Sequence, residues 1–192
     1  MRRLRETFEA FGVPSPPDGE LRHLIGPPTP VALSSCIPPE RLDEGVAFYR
    51  ALAAREGLTN MSLFAGVPQA LAALHEWGIP LAVATSKPQG EAERIVAELG
   101  LETYFAAVAG ASEERLSKAD VVAFALTQLE TSSAHVPLMV GDRLWDVEGA
   151  AEHGVPTLLV SWGYARAAEF DRALARVDSP EELVSFVLGQ VS

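Results

Sequence analysis

The sequence predicts an α/β protein whose core is a doubly wound parallel sheet. From residue 79 onward, short apolar runs alternate with helical patterns, and this alternation is typical of strand-helix-strand units. Before residue 61 the chain shows helical periodicity and proline turns but no convincing strand. We therefore expect an all-α segment at residues 1–60, followed by an α/β domain at residues 61–192.

The first segment is expected to contain three helices. Apolar residues recur at helical spacing over Leu4–Phe11, and a shorter helical pattern covers Glu20–Ile25. A proline-rich loop is predicted from there to Pro39. The longest helix is predicted at Glu40–Arg55, because its apolar stripe is continuous and Gly57 stands just past its end.

The second segment is expected to contain four strands and six helices. Apolar runs bounded by turn residues predict buried strands at Ile79–Ala84, Tyr104–Ala109, Val136–Val140 and Pro156–Ser161. Helical spacing of apolar residues predicts helices at Val67–Trp77, Glu91–Leu99, Ala119–Leu129, Val147–His153 and Ala167–Ala175. A capping box that begins at Ser179 predicts a last helix, which reaches about Leu188.

Composition limits the possible partners and the compartment. The net charge of −11 argues against a nucleic acid or an anionic membrane surface, because both require basic surface. A phosphorylated small molecule stays possible, since one bound metal ion can invert the local field. The single cysteine, Cys36, excludes an internal disulfide framework, and we expect a reducing, cytoplasmic environment. No run approaches the roughly 18 apolar residues of a membrane span.

Two aspartates follow the predicted strand at Val136–Val140. Asp142 lies in the turn after the strand, and Asp146 lies at the start of the next helix. Ligands bind at the carboxyl ends of strands in open α/β sheets. Mg²⁺ prefers one or two carboxylates together with water and phosphate oxygens, so the pair predicts a magnesium site. The alternative is that Asp146 only caps the helix and Asp142 only forms the turn.

Two further strand ends carry polar residues of a complementary kind. Thr85 and Ser86 follow the first predicted strand, and Lys118 opens the helix after the second. Hydroxyls and turn amides bind phosphate oxygens, a lysine neutralises their charge, and carboxylates hold Mg²⁺. Taken alone, Thr85 is better explained as a turn cap, and Lys118 could be one of the solvated lysines. Their joint occurrence at strand ends favours a phosphate-plus-metal site.

Two residues between the aspartates have two interpretations each. Trp145 either lines the mouth of the cleft or covers the start of the helix. Arg143 either lies near the phosphate region or has a role at the protein surface.

The candidate residues stand in three segments that resemble known motifs. The segments Val83–Pro88, Arg115–Val122 and Met139–Asp146 are similar to the second, third and fourth motifs of the haloacid dehalogenase (HAD) superfamily. The resemblance is strongest to its phosphoglycolate phosphatase and 5′-nucleotidase-like branch. Shorter similar stretches extend it over nearly the whole chain, at Leu24–Pro28, Leu63–Val67 and Ser161–Tyr164.

This resemblance implies a Rossmann-like core with a helical cap. It also implies Mg²⁺-dependent hydrolysis of a small phosphomonoester, phosphoglycolate- or nucleotide-like, through an aspartyl-phosphate. By the same resemblance, Thr85 binds the transferring phosphoryl group and Lys118 orients nucleophile and phosphate. Asp142 would ligate Mg²⁺, and Asp146 would support the metal through water.

The first motif of the superfamily is absent from these residues. It is an Asp-x-Asp-Gly-Thr loop that supplies the nucleophile and the general acid/base, and no Asp-x-Asp occurs anywhere in the sequence. Asp18 and Asp43 precede the second motif, but neither follows a strand. The strand that carries the first motif is the central one. Without it, the strands at Ile79–Ala84 and Val136–Val140 must pair directly or leave backbone groups unpaired.

Two explanations of this departure remain open. The sequence is either an ordinary phosphatase that lacks about twenty N-terminal residues, judged by eye against the family pattern, or a complete non-catalytic relative that binds a ligand or a protein. We favour the first, because the second, third and fourth motifs are intact. In either case we expect little or no phosphatase activity from the 192 residues themselves, since covalent catalysis requires the nucleophile.

Overall fold

The chain folds into two compact units, Met1–Met61 and Ser62–Ser192. The computed structural model describes residues 1–57, 61–129 and 136–190. Within these ranges it contains ten α-helices and five β-strands. None of the described helices is long and apolar enough to cross a membrane.

The first unit contains helices and turns but no strand in the part that the structure describes. Its helices are α1 (Arg2–Ala10), α2 (Asp18–Leu21), α3 (Thr29–Ser34) and α4 (Leu42–Glu56), with 3-10 turns at Arg22–Leu24 and Pro39–Arg41. The apolar faces meet in a buried cluster formed by Leu4, Phe8, Leu21, Leu33, Ile37 and Val46. The prediction of an unbroken loop before Pro39 was wrong: α3 lies within it, with Pro30 in its first turn, where proline is well tolerated.

The second unit alternates strands and helices, as the sequence predicts. Its strands are β1 (Ala82–Pro88), β2 (Ala107–Ala111), β3 (Met139–Gly141), β4 (Thr157–Val160) and β5 (Ala175–Val177). Its helices are α5 (Val67–Glu76), α6 (Gln89–Glu98), α7 (Lys118–Gln128), α8 (Leu144–Ala151), α9 (Ala167–Phe170) and α10 (Pro180–Gln190). The pairings among these five described strands are all parallel, so the predicted α/β class is confirmed.

Three predicted strands begin later than expected. β1 starts at Ala82 and continues through Thr85 and Ser86, so these two hydroxyl residues lie in the strand and not in a turn after it. β2 starts at Ala107 because the preceding residues form a 3-10 turn. β3 starts at Met139, and the apolar run that suggested an earlier start includes the highly exposed Val136.

The helix predicted at Ala167–Ala175 ends early, and a fifth strand that was not predicted follows it. Helix α9 stops at Phe170, and the chain then pairs with β4 through β5. The N–H of Leu174 donates to the carbonyl of Thr157 at 2.8 Å, and Val177 is almost completely buried. Pairing with a strand distant in sequence therefore overrode the local helical pattern.

The sheet is divided into two parts. β1 pairs with β2, and β3, β4 and β5 form a second group, while no pairing joins β1 to β3 in the described ranges. The backbone groups of successive residues in a strand point alternately to its two edges. The N–H of Ala106 donates to Leu81, so Leu81 faces the β2 side. Ala84, three residues later, therefore directs its backbone groups toward the opposite, open edge of β1. The N–H of Met139 donates to Pro156, which likewise directs Val140 toward the open edge of β3. Of the two expected outcomes, direct pairing and unpaired edges, the structure has the second.

Candidate functional site

Lys118 is fixed at the first position of helix α7 by a complete capping box. Ser117 Oγ accepts the N–H of Asp120 at 3.1 Å, and Asp120 Oδ2 accepts the N–H of Ser117 at 2.9 Å. This cap satisfies donors that every helix start leaves open, so it defines where α7 begins. The Lys118 side chain is only 8% exposed, and the solvated-lysine alternative is therefore wrong.

The ammonium group of Lys118 links the two parts of the sheet. Its Nζ donates to the carbonyl oxygen of Ala84 at 2.6 Å and lies 2.8 Å from Asp146 Oδ1. The first contact is to the open edge of β1, and the second is to the first turn of α8. A buried ammonium needs a carboxylate and further acceptors to offset its lost hydration, and these two contacts supply them.

Asp146 binds the loop before its own helix. Its Oδ2 accepts the N–H of Asp142 at 3.0 Å and the N–H of Arg143 at 3.1 Å. A carboxylate in the first turn also interacts favourably with the helix dipole. Since Oδ1 is paired with Lys118, both oxygens of Asp146 are engaged by the protein. Asp146 therefore acts as a capping residue and as the counter-ion of Lys118 together.

Asp142 is the carboxylate with a free coordination position. Its Oδ2 accepts the N–H of Tyr164 at 3.0 Å, whereas its Oδ1 has no hydrogen-bond donor in the part of the chain that the structure describes. Burial raises the pKa of Asp142, and the nearby charge of Asp146 raises it further. The Tyr164 N–H and the cations Arg143 and Lys118 lower that pKa and only partly offset the rise.

Three glycines let the backbone approach these side chains closely. At each of them an added methyl group would overlap with a site residue, which would have to move. The pairs are Gly141 with Asp146, Gly149 with Lys118, and Gly163 with Asp142. We did not predict these contacts from the sequence, although Gly141 and Gly163 lie in the segments that carry the family resemblance.

Thr85 and Ser86 lie beside this group along the chain. Lys118 binds the carbonyl of Ala84, the residue before Thr85, and Thr85 Oγ1 accepts the N–H of Lys87 at 3.3 Å. The pairing register of β1 shifts between Ala84 and Pro88, so the backbone of both hydroxyl residues leaves the regular ladder. The structure thus joins Lys118, Asp142 and Asp146 by direct contacts or shared backbone, with Thr85 adjoining. Phosphate binding by Thr85 and Ser86 stays a prediction.

Arg143 is not a surface residue. It is 4% exposed, and its Nε lies 3.5 Å from Glu169 Oε2. The same carboxylate oxygen accepts the N–H of Leu144 at 3.1 Å. Trp145, beside them, is half-buried. Glu169 is a buried acid that no local sequence pattern identifies, because its partner Leu144 lies 25 positions earlier.

The donor set fits a magnesium ion held by few protein groups. No cluster of three or more histidine, cysteine, aspartate or glutamate side chains that could enclose a metal occurs within residues 1–57, 61–129 and 136–190. Mg²⁺ does not need such a cage, because it commonly binds one or two carboxylates and keeps water and phosphate ligands. Asp142, desolvated and with one oxygen free, suits this mode of binding.

The chain belongs to the haloacid dehalogenase-like hydrolase family, which it matches over residues 1–160. It is 41% identical over 176 residues to tyrosine-protein kinase PtkA of Mycobacterium tuberculosis, and this match covers 91% of the chain. The chain spans 60% of the length of that relative. It is 31% identical to a 5′-nucleotidase of Pseudomonas aeruginosa over 88% of the chain and 77% of the relative. A phosphoglycolate phosphatase of Rhodospirillum rubrum is 35% identical, over 63% of the chain and 51% of the relative.

Solved structures have the same fold. The haloacid dehalogenase-like hydrolase SP0104 of Streptococcus pneumoniae matches with a TM-score of 0.88 and 26% identity, over 97% of this chain and 89% of that one. Mycobacterium tuberculosis PtkA matches with a TM-score of 0.81 and 38% identity, over 97% and 88%. The predicted family and its α/β fold with parallel strands are confirmed.

Replacing Lys118 by methionine tests the buried ion pair. The change leaves the Asp146 carboxylate buried without its cation. We therefore expect the free energy of unfolding to fall by about 3–5 kcal/mol. Urea denaturation of Lys118→Met, Asp146→Asn and the double variant measures the coupling. The free energy of unfolding should fall clearly less in the double variant than the sum of the decreases in the two single variants. A loss below about 1 kcal/mol for Lys118→Met would match an exposed pair instead and contradict this assignment.

Replacing Gly163 by alanine tests the close contact with Asp142. The new methyl group overlaps with the Asp142 side chain, and we expect a loss of about 1–3 kcal/mol in the free energy of unfolding. Gly90→Ala is the matched control, because nothing lies within reach of its methyl group in α6. That control should be neutral or stabilising by up to about 1 kcal/mol. Equal effects of the two substitutions on denaturation would contradict the contact.

Replacing Asp142 by asparagine tests the raised pKa of this carboxyl group. Below the ordinary value of 3.8, both the folded and the unfolded chain carry the neutral acid. As the pH rises through the raised pKa of the folded state, the wild-type chain loses stability, because ionisation is less favourable there than in the unfolded chain. Asparagine keeps an acceptor for Tyr164 and avoids this loss. Metal-free Asp142→Asn should therefore melt above wild type near neutral pH, and the difference should shrink in acid. A difference in melting temperature that does not change with pH would contradict the raised pKa of Asp142.

Proposed function

We propose that this chain is the lysine- and metal-binding part of a Mg²⁺-dependent phosphatase for a small phosphomonoester. The observation that carries the proposal is the meeting of Lys118, Asp142 and Asp146 between the ends of β1 and β3. Membership of the haloacid dehalogenase-like hydrolases supports it. The relatives named 5′-nucleotidase and phosphoglycolate phosphatase support a nucleotide- or phosphoglycolate-like substrate.

Each residue of the group has a distinct proposed role. Asp142 holds Mg²⁺ through its free oxygen, and the bound ion would neutralise charge on the phosphoryl oxygens. Lys118 keeps a second positive charge beside β1, where Thr85 and Ser86 offer hydroxyls to the phosphate. Asp146 pairs with the ammonium group of Lys118 and holds the loop of Asp142 in place. Because both of its oxygens are engaged, we assign Asp146 this supporting role rather than direct contact with the ion.

The nucleophile must come from residues outside these 192, because no Asp-x-Asp occurs among them. We propose that it enters on a strand seated between the open edges of β1 and β3. Two features support this: the division of the sheet, and the backbone groups of β1 and β3 that are directed toward the open edges, although the carbonyl of Ala84 already accepts from Lys118. A strand at this position would gain backbone hydrogen bonds on both sides. Its carboxyl end would then lie beside Lys118 and Asp142.

Two other functions have one supporting observation each. The relative named tyrosine-protein kinase favours phosphoryl transfer to a tyrosine hydroxyl, which needs the same charge neutralisation as transfer to water. The open edges of β1 and β3 favour a non-catalytic role, in which an extended segment of a partner completes the sheet. We further propose that residues 1–60 act as the cap and residues 61–192 as the catalytic core. A cytoplasmic location is supported by the single cysteine.

Phosphate release from p-nitrophenyl phosphate tests the proposal. The 192-residue chain should release phosphate at the background rate, with or without Mg²⁺. A chain extended upstream by about twenty residues of its reading frame should be active with Mg²⁺. In the extended chain, Asp142→Asn should lower kcat/KM by about a hundredfold or more, because the metal supplies several kcal/mol of charge stabilisation.

The controls separate the three functions. Robust Mg²⁺-dependent release from the 192-residue chain would contradict the need for an outside nucleophile. Transfer of labelled phosphate to a tyrosine peptide, without release, would favour the kinase activity. An inactive extended chain, together with binding of the upstream segment as a separate peptide by the 192-residue chain, would favour the binding role.

A further inference from the structure

The segment after β4 contacts the aspartate loop, residues 141–146, in two places. The N–H of Tyr164 donates to Asp142, and five residues later Glu169 reaches Arg143 and Leu144. Glu169 is 8% exposed, and carboxylates are rarely buried to this degree unless they are paired. The proposed function gives it no role, because Glu169 is not among the groups that hold phosphate or metal.

Glu169 caps helix α8 from a distant part of the chain. The helix begins after Arg143, whose side chain carries only donors and so cannot accept a hydrogen bond from the helix start. The N–H of Leu144, the first helical residue, is one of the donors that a helix start leaves open. Glu169 Oε2 accepts it at 3.1 Å. The negative charge of Glu169 also suits the positive end of the helix dipole.

The same carboxylate holds the side chain of Arg143. Arg143 Nε lies 3.5 Å from Glu169 Oε2, and the Arg143 N–H donates to Asp146 at 3.1 Å. Arg143 thus donates its backbone N–H to one carboxylate and forms an ion pair through its guanidinium with another. Since Asp142 immediately precedes Arg143, movement of Arg143 would carry Asp142 with it.

We propose that Glu169 is a positioning residue for the aspartate loop. It fixes Arg143 and Leu144 so that Asp142 and Asp146 keep the arrangement that metal and phosphate binding require. This inference rests on the proposed function for its purpose, while the positioning itself is a property of the metal-free chain. Removal of Glu169 should release the loop and leave β4 and the rest of α8 folded.

Amide hydrogen exchange of the metal-free chain, followed by NMR, tests this role. Glu169→Ala should lower protection of the Asp142, Arg143 and Leu144 amides about tenfold or more relative to the amides of β4, as expected for a lost charge-assisted hydrogen bond. Glu169→Gln keeps an oxygen acceptor but not the charge, and it should restore protection at Leu144. Leu74→Ala, at a buried position of α5, is the matched control. It lowers the stability of the unit as a whole and should not single out the aspartate loop.

Two results would overturn the inference. One is an even loss of protection across the unit in Glu169→Ala, as in the Leu74 control, and the other is unchanged protection at all three loop amides. Thermal shift with Mg²⁺ plus inorganic phosphate gives a separate readout, in which Glu169→Ala should weaken binding about 10–100-fold relative to wild type. Failure of the wild-type and extended chains to bind Mg²⁺ would contradict the proposed function, and the exchange result would still decide the role of Glu169.

Discussion

The carboxylate of Asp146 determines the arrangement of the other charged groups. One oxygen accepts two backbone N–H groups of the loop, and the other oxygen is paired with Lys118. Removing two charges from water costs several kcal/mol per ion, and only good geometry with further hydrogen bonds offsets that cost. Asp146 meets this condition because three donors converge on it, and Lys118 meets it by adding the carbonyl of Ala84. The position of Asp142 follows, since its own N–H is one of the three donors.

The same ion pair joins the two parts of a divided sheet. The parallel ladder that would otherwise connect β1 to β3 is missing, and each unpaired buried backbone group costs about 1–3 kcal/mol. Lys118 satisfies one such group at Ala84. Helices α7 and α8 also pack against each other beside this gap in the sheet. Gly149 lets α8 lie directly against Lys118, and His153 hydrogen-bonds the carbonyl of Ala119 at 2.9 Å. The gap is thus bridged by side chains of the candidate site itself.

The sequence predicted most of this arrangement, and the omissions have physical causes. Alternation of strands and helices placed Lys118, Asp142 and Asp146 at one edge of the sheet, because parallel strands share the direction of their carboxyl ends. The exact role of Asp146 was not readable, since a carboxylate after a turn suits a metal and a helix cap equally. β5 was missed because a strand of three residues is too short to show an alternation of apolar and polar residues, and its pairing with β4 is long-range. Glu169, Gly149 and Gly163 act through contacts between segments distant in sequence, which no local pattern encodes.

The charges of this group bear on the proposal that a metal would accompany a phosphate here. With all side chains in their ordinary ionisation states, Lys118 is balanced by Asp146, and Arg143 is balanced by Glu169. Asp142 is left as the one uncompensated carboxylate of this group, so a phosphomonoester dianion alone would be repelled. If Asp142 binds a divalent cation, as proposed, the cation would reverse the local sign and make the same place attractive to phosphate. The two buried ion pairs therefore have a consequence beyond the stability of the fold. They pair Lys118 with Asp146 and Arg143 with Glu169, so a cation that binds this group would do so through Asp142.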